Sequence, residues 1–341
     1  MSEKTLSDVR HITVKDDDDG QRLDRWLKKN VPELPYILAQ KFLRTGQIRI
    51  DGKRAKPESK LSGGQEIRIP PIKPRMRPDK PKLSDKDAAF IKSLVIYEDE
   101  HVIALNKPYG LPTQGGSKVK VHIDGMLDAL ADKEGVKPRL VHRLDKDTSG
   151  VLLLARSAKI ARALGESFKG RDVKKIYWAL TCPAPQSMDG AIKAPLLKAG
   201  GNNKERMVID EKEGKFALTD FVVLENAYES AAFVAFWPRT GRTHQIRVHA
   251  ELIGCPIVGD KKYARLPEQT ETHEARRKAE ANLKEMNLAD RLHLHARRVI
   301  LPHPASPRKK LDITAPLPPE LKKSWKALGF SPNLKTDPFE T

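Results

Sequence analysis

The sequence predicts an α+β fold with a central mixed or antiparallel sheet, preceded by a smaller α/β unit. From Ser93 onward, short apolar runs of strand length outnumber helical patterns and do not alternate regularly with them. That order disfavours a parallel βαβ sheet. Near the start, Leu23, Trp26 and Leu27 recur at the i, i+3, i+4 spacing of an amphipathic helix. With 341 residues, 39% of them hydrophobic, the chain can form one large and one small domain.

The N-terminal elements follow from periodicity and turn residues. A second helix is expected over 36–44 and is ended by Gly46, and short strands are expected at 48–50 and 66–69 around an Asp51-Gly52 turn. Residues 71–82 are rich in Pro, Lys and Arg, a composition that favours extended backbone. We therefore expect a tail at 1–20, a folded unit at 21–70 and a linker at 71–92.

The larger domain is expected over 93–320 and a C-terminal tail over 321–341. A helix is predicted at 159–168, because Ile160, Leu164 and Phe168 fall on one face. A charged segment at 264–291 has the composition of a solvated helix and is interpreted as an insertion. Strands are predicted at 102–105, 151–155, 177–181, 233–236 and 245–249.

Composition restricts the function classes. Lys and Arg outnumber Asp and Glu by 63 to 45, a formal charge of +18, which favours a polyanionic partner such as nucleic acid. No apolar run approaches the length of a spanning helix, and the first ten residues lack the apolar core of a secretory signal. The two cysteines, Cys182 and Cys255, form neither a disulfide framework nor a C-x-x-C motif. We expect a cytoplasmic protein with no membrane partner.

The most informative motif reads VHRLDKDTSG at 141–150 and runs directly into the apolar segment VLLLA. A turn with two carboxylates, basic residues and two hydroxyls is thereby placed against a short buried strand. Such residues in isolation are more often turn-stabilising. A second polar motif, RTGRTHQIRVH at 239–249, accompanies it, followed by LHLHA at 292–296. The sequence therefore predicts an active-site loop at 141–150.

These two motifs, with NKP at 106–108, KIY at 175–177 and LHLHA at 292–296, resemble the ribosomal large-subunit pseudouridine synthase family in their usual order. The resemblance covers roughly residues 93 to 315. Pseudouridine formation breaks the ribose C1′–N1 bond, turns the uracil and joins C1′ to C5, which requires neither metal nor redox cofactor. The resemblance implies that Asp145 is the catalytic carboxylate, acting as a nucleophile on C1′ or as a base on the ribose 2′ proton. These routes remain open.

The resemblance also assigns roles around Asp145. Arg247 is expected to neutralise and orient the carboxylate, and Tyr177 to stack on uracil and assist proton movement at C5. Because the target nucleotide must leave its helix, Arg143 is expected to fill the gap. Lys107 is expected to line the cleft, although a lysine at the end of a strand is at least as often structural. No metal site is expected, since His293 and His295 have no third ligand in view and a P-loop reading fails on spacing.

Residues 21–82 contain 17 Lys or Arg against 6 Asp or Glu and resemble an S4-like RNA-binding domain. Two positions depart from that pattern: Pro35-Tyr36 replaces the usual Ser-Arg pair at the start of the second helix, and Asp51 replaces the usual Asn. The residues expected to contact RNA are Lys41, Arg44, Arg49 and Lys53.

The sequence thus predicts a monomeric, cofactor-independent RNA pseudouridine synthase acting on bacterial large-subunit ribosomal RNA or a pre-ribosomal particle. A transfer RNA synthase is the alternative within the class, because the catalytic motifs are shared and only peripheral elements choose the target. A non-catalytic ribosome-assembly factor is the alternative from another class. The intact set of Asp145, Tyr177 and Arg247 argues against it.

Overall fold

Two units make up the chain, Met1–Lys82 and Leu83–Thr341. Each unit has its own hydrophobic core. Among the described residues, no helix is long and apolar enough to cross a membrane. The computed structural model describes residues 8–72, 83–116, 119, 121–170, 173–200, 206–227, 230–264, 281, 283, 285–335 and 338–339.

The N-terminal unit packs two helices on a four-stranded antiparallel sheet of order β1-β4-β2-β3. Leu23, Trp26 and Leu27 form the buried face of α1, as their spacing predicts, and pack with Ile67 and Ile69 of β4. The sheet includes β1, which lies in the segment expected to be a tail. The elements are β1 Arg10–Thr13, a 3-10 turn Asp16–Asp18, α1 Leu23–Asn30, α2 Tyr36–Arg44, β2 Arg49–Ile50, β3 Lys53–Arg54 and β4 Glu66–Ile69.

Six helical segments of the C-terminal unit have both of their ends among the described residues. One of them, α5, begins where the Ser157 side chain accepts a hydrogen bond from the Ile160 backbone N–H, and it buries Ile160 and Leu164. The segments are α3 Asp85–Ser93, α4 Ile123–Met126, a 3-10 turn Leu127–Leu130, α5 Ala158–Lys169, α6 Gln245–Leu252 and α7 Pro319–Ala327.

A ten-stranded sheet forms the centre of this unit. Its strands run in the order β10-β13-β14-β9-β15-β8-β6-β5, with β16 beside β15 and β7 beside β8. Every neighbouring pair is antiparallel except β15 with β8, so the predicted α+β class with a mixed sheet is confirmed. The strands are β5 Val95–Glu98, β6 Val102–Lys107, β7 Arg139–Leu140, β8 Ser149–Ala155, β9 Lys174–Thr181, β10 Asp189–Lys193, β13 Leu218–Ala227, β14 Ala231–Pro238, β15 Leu294–His303 and β16 Ser306–Thr314, and a separate hairpin pairs β11 Leu196–Lys198 with β12 Met207–Ile209.

The C-terminal segment belongs to the core, which differs from the tail expected at 321–341. Helix α7 buries Leu321 and Trp325, and Trp325 packs edge-on against Phe233 of β14 at 5.3 Å between ring centroids. Phe233 in turn packs edge-on against Trp178 of β9 at 4.9 Å. The unit therefore continues beyond residue 320, because α7 covers one face of the central strands.

Residues 245–249, predicted as a strand, form the first part of helix α6. The alternation of polar and apolar residues there does not separate a buried face from an exposed one. Gln245, Arg247 and His249 are as buried as Ile246 and Val248. The buried polar groups have hydrogen-bond partners in other elements. Polar and apolar residues can therefore alternate along this segment although it is a helix and not a strand.

Two expected segments lie partly outside the described residues. Of the linker expected at 71–92, residues 73–82 are not described, and the following residues include α3, capped by the Ser84 side chain on the Asp87 backbone N–H. Of the insertion expected at 264–291, residues 265–280, 282 and 284 are not described, and its last residue, Arg291, is buried.

Candidate active site and nucleic-acid interface

A cleft that is open to solvent at its mouth brings together segments that are distant in the sequence. It is lined by residues 143–145 and 148 before β8, by Lys175 and Tyr177 on β9, by Leu294 of β15, and by Pro238 and residues 240–247, which lead into α6. Of the residues predicted for the site, four line it: Arg143, Asp145, Tyr177 and Arg247.

The Asp145 loop is held by its backbone, which leaves the side chain free to face the cleft. The Thr113 hydroxyl donates to the Leu144 carbonyl at 2.7 Å and accepts from the Leu144 N–H at 3.2 Å. The Thr148 N–H closes a turn on the Asp145 carbonyl at 3.1 Å. The Asp145 side chain is 24% exposed and is thus open to a ligand entering the cleft.

Strand β8 needs glycine immediately after this loop. Gly150 has φ +115°, and a Cβ there would lie 2.2 Å from the Ala296 carbonyl oxygen of β15. Both the backbone conformation and the close approach of β15 exclude larger residues. The loop is therefore anchored where β8 meets β15.

Lys107 lies beneath the loop and is not among the residues lining the cleft, which differs from its predicted role. Its side chain is fully buried, and Nζ donates to the carbonyls of Pro108, Leu111 and Lys146 at 2.9, 2.8 and 3.2 Å. Burial lowers the pKa of Lys107 to about 7, and the negative charge of Asp145 opposes that shift. Three carbonyl acceptors match the three hydrogens of an ammonium group, so Lys107 ties the end of β6 to the Asp145 loop.

Lys175 and Tyr177 are two residues apart on β9, so both side chains lie on the face that lines the cleft. Burial, and then the negative charge of Asp145, raise the pKa of the Tyr177 hydroxyl. Tyr177 is consequently a neutral phenol that can stack and donate. Burial lowers the pKa of Lys175. Lys175 lies in the KIY motif at 175–177 and was not predicted as a site residue.

Arg247 lines the cleft, but its guanidinium pairs with Asp260 rather than with Asp145. The bonds are bidentate, Nε to Oδ2 at 2.7 Å and Nη2 to Oδ1 at 2.6 Å, and both side chains are buried. Burial opposes the charge on each partner, yet the bond outweighs it: the pKa of Arg247 is raised and that of Asp260 is lowered. Asp145 adds to the stabilisation of the arginine charge. Its predicted role as the cation that orients Asp145 stays a prediction.

Helix α6 is locked to β13 by two buried polar side chains one turn apart. The Gln245 amide donates to the Leu218 carbonyl and to the Thr219 hydroxyl, both at 2.9 Å, and its carbonyl accepts from the Thr240 hydroxyl at 2.7 Å. His249 lies 2.9 Å from the same Thr219 hydroxyl. These contacts fix the loop 240–244, which forms one wall of the cleft.

His244 enters the cleft from that wall and was not predicted as a site residue. It has a left-handed backbone, φ 54° and ψ 17°, directly before α6. Its Nδ1 lies 2.8 Å from the Tyr263 hydroxyl, and its Nε2 lies 3.8 Å from Oδ2 of Asp145. Burial lowers the pKa of His244, and Asp145 opposes that shift. The sequence signal was the polar motif itself, where a histidine follows Arg242-Thr243.

The two histidines weighed as metal ligands have structural partners instead. The His295 ring lies 2.9 Å from the Ser149 hydroxyl and 3.2 Å from the Ala315 carbonyl, and burial lowers its pKa to about 3. The His293 ring lies 2.9 Å from the Ser324 hydroxyl of α7. They connect the sheet to its neighbours.

A row of basic side chains crosses the exposed face of the N-terminal sheet. Arg49 pairs with Arg54 of β3 on one side and with Arg68 of β4 on the other, and paired residues of antiparallel strands share a face. Arg49 also donates to the Gly46 and Gly52 carbonyls, which holds its stem against the turn. Three further predicted RNA contacts, Lys41, Arg44 and Lys53, are exposed. The unit thus presents a positively charged surface.

Comparison with known proteins agrees with this architecture. A family model described as RNA pseudouridylate synthase matches residues 101–252, which include the Asp145 loop and the start of α6. The protein named ribosomal large subunit pseudouridine synthase C of Salmonella typhi is 37% identical over 323 residues, covering 94% of this chain and 97% of that protein. Its counterpart in Vibrio parahaemolyticus is 35% identical over 322 residues, covering 92% and 95%.

Two solved human structures are also similar. RNA pseudouridylate synthase domain containing 4 aligns with a TM-score of 0.58 at 30% identity and covers 72% of this chain and 97% of its own. RNA pseudouridylate synthase domain containing 1 aligns with a TM-score of 0.50 at 25% identity, covering 71% and 96%. Because relatives at 35–37% identity align over nearly the full length, and the family model matches the segment that contains Asp145, this chain belongs to the RNA pseudouridylate synthase family.

Proposed function

We propose that this chain isomerises uridine to pseudouridine in large-subunit ribosomal RNA, with Asp145 as the catalytic carboxylate. The observation that carries the proposal is the cleft in which a partly exposed carboxylate stands among Tyr177, Lys175 and Arg247. Relatives that align over 94% of the chain are named for the ribosomal large subunit, which supports that RNA over transfer RNA.

The reaction moves the ribose from N1 to C5 of the base and a proton from C5 to N1. Asp145 supplies the negative oxygen, either bonding to C1′ as N1 leaves or taking the 2′ proton. Tyr177, held neutral by its buried setting, can stack on the uracil and donate a hydrogen bond.

The surroundings of Asp145 suit an extruded nucleotide. Arg143 is exposed at the mouth of the cleft, where a guanidinium can stack on bases or bond phosphate when the target leaves its helix. Arg242 lines the opposite side, with its Nε on the Phe216 carbonyl at 3.0 Å. Cations on both sides favour a polyanion over the cleft.

The N-terminal unit supports RNA recognition through its charge. The row of Arg54, Arg49 and Arg68 offers a flat cationic face, and Lys41 and Arg44 add charge from the last turn of α2. Contacts of this type neutralise phosphates and carry little sequence information. We therefore assign affinity to this unit and chemistry to the cleft.

The test is conversion of uridine in large-subunit RNA transcripts or particles by the purified chain, with Asp145→Asn and a matched control, Asp147→Asn. Both changes remove one carboxylate charge from the same loop. Asp145→Asn should abolish pseudouridine formation with RNA affinity retained, whereas Asp147→Asn should keep most of the activity. Substantial turnover by Asp145→Asn would contradict the assignment, and activity on transfer RNA alone would contradict the substrate.

A further inference from the structure

The hydrogen bonds around Tyr263 favour one tautomer of His244. The Met207 backbone N–H can only donate, and it points to the Tyr263 hydroxyl oxygen at 2.8 Å. The hydrogen of that hydroxyl is then available to His244 Nδ1, also at 2.8 Å. Nδ1 is the acceptor within reach of that hydrogen, and with this pairing the neutral imidazole has its N–H at Nε2.

That N–H faces the catalytic carboxylate. Nε2 lies 3.8 Å from Oδ2 of Asp145, longer than a hydrogen bond but short enough to close by a small movement. Hydrogen bonds of this kind are often long in a free enzyme and tighten with substrate. The His244 side chain is only 11% exposed, so water competes weakly for its donor.

The ring has little freedom to move elsewhere. It packs edge-on against Tyr263, with 5.4 Å between ring centroids, and Tyr263 is fully buried beside the guanidinium of Arg247. The left-handed backbone at His244 costs energy for a non-glycine residue, and it is what turns the side chain into the cleft. The contacts with Tyr263 hold the ring in this conformation.

We infer that His244 is a positioning residue for Asp145: its Nε2–H, fixed by the Tyr263 hydroxyl, binds Oδ2 of the carboxylate in the RNA complex and leaves Oδ1 to react with the ribose. This inference rests on the proposed function. The orientation of the His244 N–H depends on the Tyr263 hydroxyl, which in turn is oriented by the Met207 backbone N–H. Loss of any member should weaken the same contact.

The experiment compares His244→Asn with His244→Gln in the full chain. Asparagine tolerates a left-handed backbone but is too short to reach Asp145, whereas the glutamine amide nitrogen falls near the position of Nε2. Single-turnover rates at saturating enzyme should fall about ten- to hundredfold for His244→Asn and be largely restored by His244→Gln, at unchanged RNA affinity. A merely structural role would reduce folding in both variants and would not separate rate from affinity.

A second variant tests the tautomer. Tyr263→Phe keeps the ring but removes the hydroxyl, so it should slow the wild-type reaction severalfold and add nothing in the His244→Asn background. Full rates in His244→Asn, a loss of RNA affinity instead of rate, or additive effects of the two variants would each overturn the inference while leaving the proposed function intact. A wild-type chain that forms no pseudouridine on ribosomal RNA would instead overturn the proposed function, and the inference with it.

Discussion

The buried pair between Arg247 and Asp260 predicts that Arg247→Met damages folding as well as catalysis. Methionine approximates the aliphatic stem but leaves Asp260 buried with no cation. Both side chains are at most 4% exposed and share two bonds of 2.6 and 2.7 Å. Removing one partner of such a pair costs roughly 3–5 kcal/mol, because the other charge stays buried. That is a large part of a typical unfolding free energy of about 5–15 kcal/mol.

A double variant separates the two effects. Oδ1 of Asp260 also accepts the backbone N–H groups of Lys262 and Tyr263, and asparagine would keep that acceptor without its charge. Arg247→Met with Asp260→Asn should therefore recover much of the stability lost in Arg247→Met alone. If turnover stays low in the recovered protein, Arg247 acts on the chemistry directly.

The pH dependence has a defined sign. Burial alone would raise the pKa of Asp260, but Arg247 holds it below the ordinary value. In the wild type this carboxylate contributes stability above its unfolded pKa, and the contribution is lost as pH falls through the lowered folded pKa. In Arg247→Met the folded pKa of Asp260 is raised instead, so protonation relieves the buried charge as pH falls. The stability gap between the two proteins should narrow from pH 7 toward pH 4.

The assay is urea unfolding of the full chain at several pH values, followed by circular dichroism, with pseudouridine formation measured on the same preparations. A loss below about 1 kcal/mol for Arg247→Met at pH 7 would refute the uncompensated-charge argument. A gap that widens at lower pH would refute the sign.

Two further predictions concern the loop and the N-terminal unit. Lys107→Met removes the donor from three carbonyls under the Asp145 loop, so the melting temperature and the turnover should both fall. Each buried acceptor left unpaired lowers the free energy of unfolding by about 1–3 kcal/mol. An unchanged melting temperature would show that water replaces the ammonium group. Arg54→Gln removes one charge from the exposed basic row, and the slope of log affinity against log salt should drop by about 0.7–0.9 with saturating turnover unchanged; an equal slope would place the RNA elsewhere.

The sequence by itself determined the elements that depend on local periodicity and the identity of the chemistry. Helix α2 has the predicted bounds, Tyr36–Arg44, because its apolar spacing and terminal Gly46 are local signals. The α+β class followed from the order of strand-like and helical runs, and the family from motifs whose polar residues are contiguous. These properties depend on residues that are close together in the sequence.

Only the tertiary structure decided what the polar residues of the motifs touch. Arg247 lies in α6, and its partner Asp260 lies thirteen positions later, after the helix has ended. No spacing in the sequence indicates that Arg247 pairs with Asp260 and not with Asp145. Residues 245–249 form a helix in which Leu218 and Thr219 of β13 bind the buried polar side chains of Gln245 and His249. Because polar and apolar side chains are both buried there, the hydrophobic periodicity of the sequence does not indicate a helix. Lys107, His244 and Trp325 likewise owe their positions to contacts between distant segments. Hydrogen-bond satisfaction and burial are properties of the packed chain, so they become visible only once the sheet and its helices are assembled.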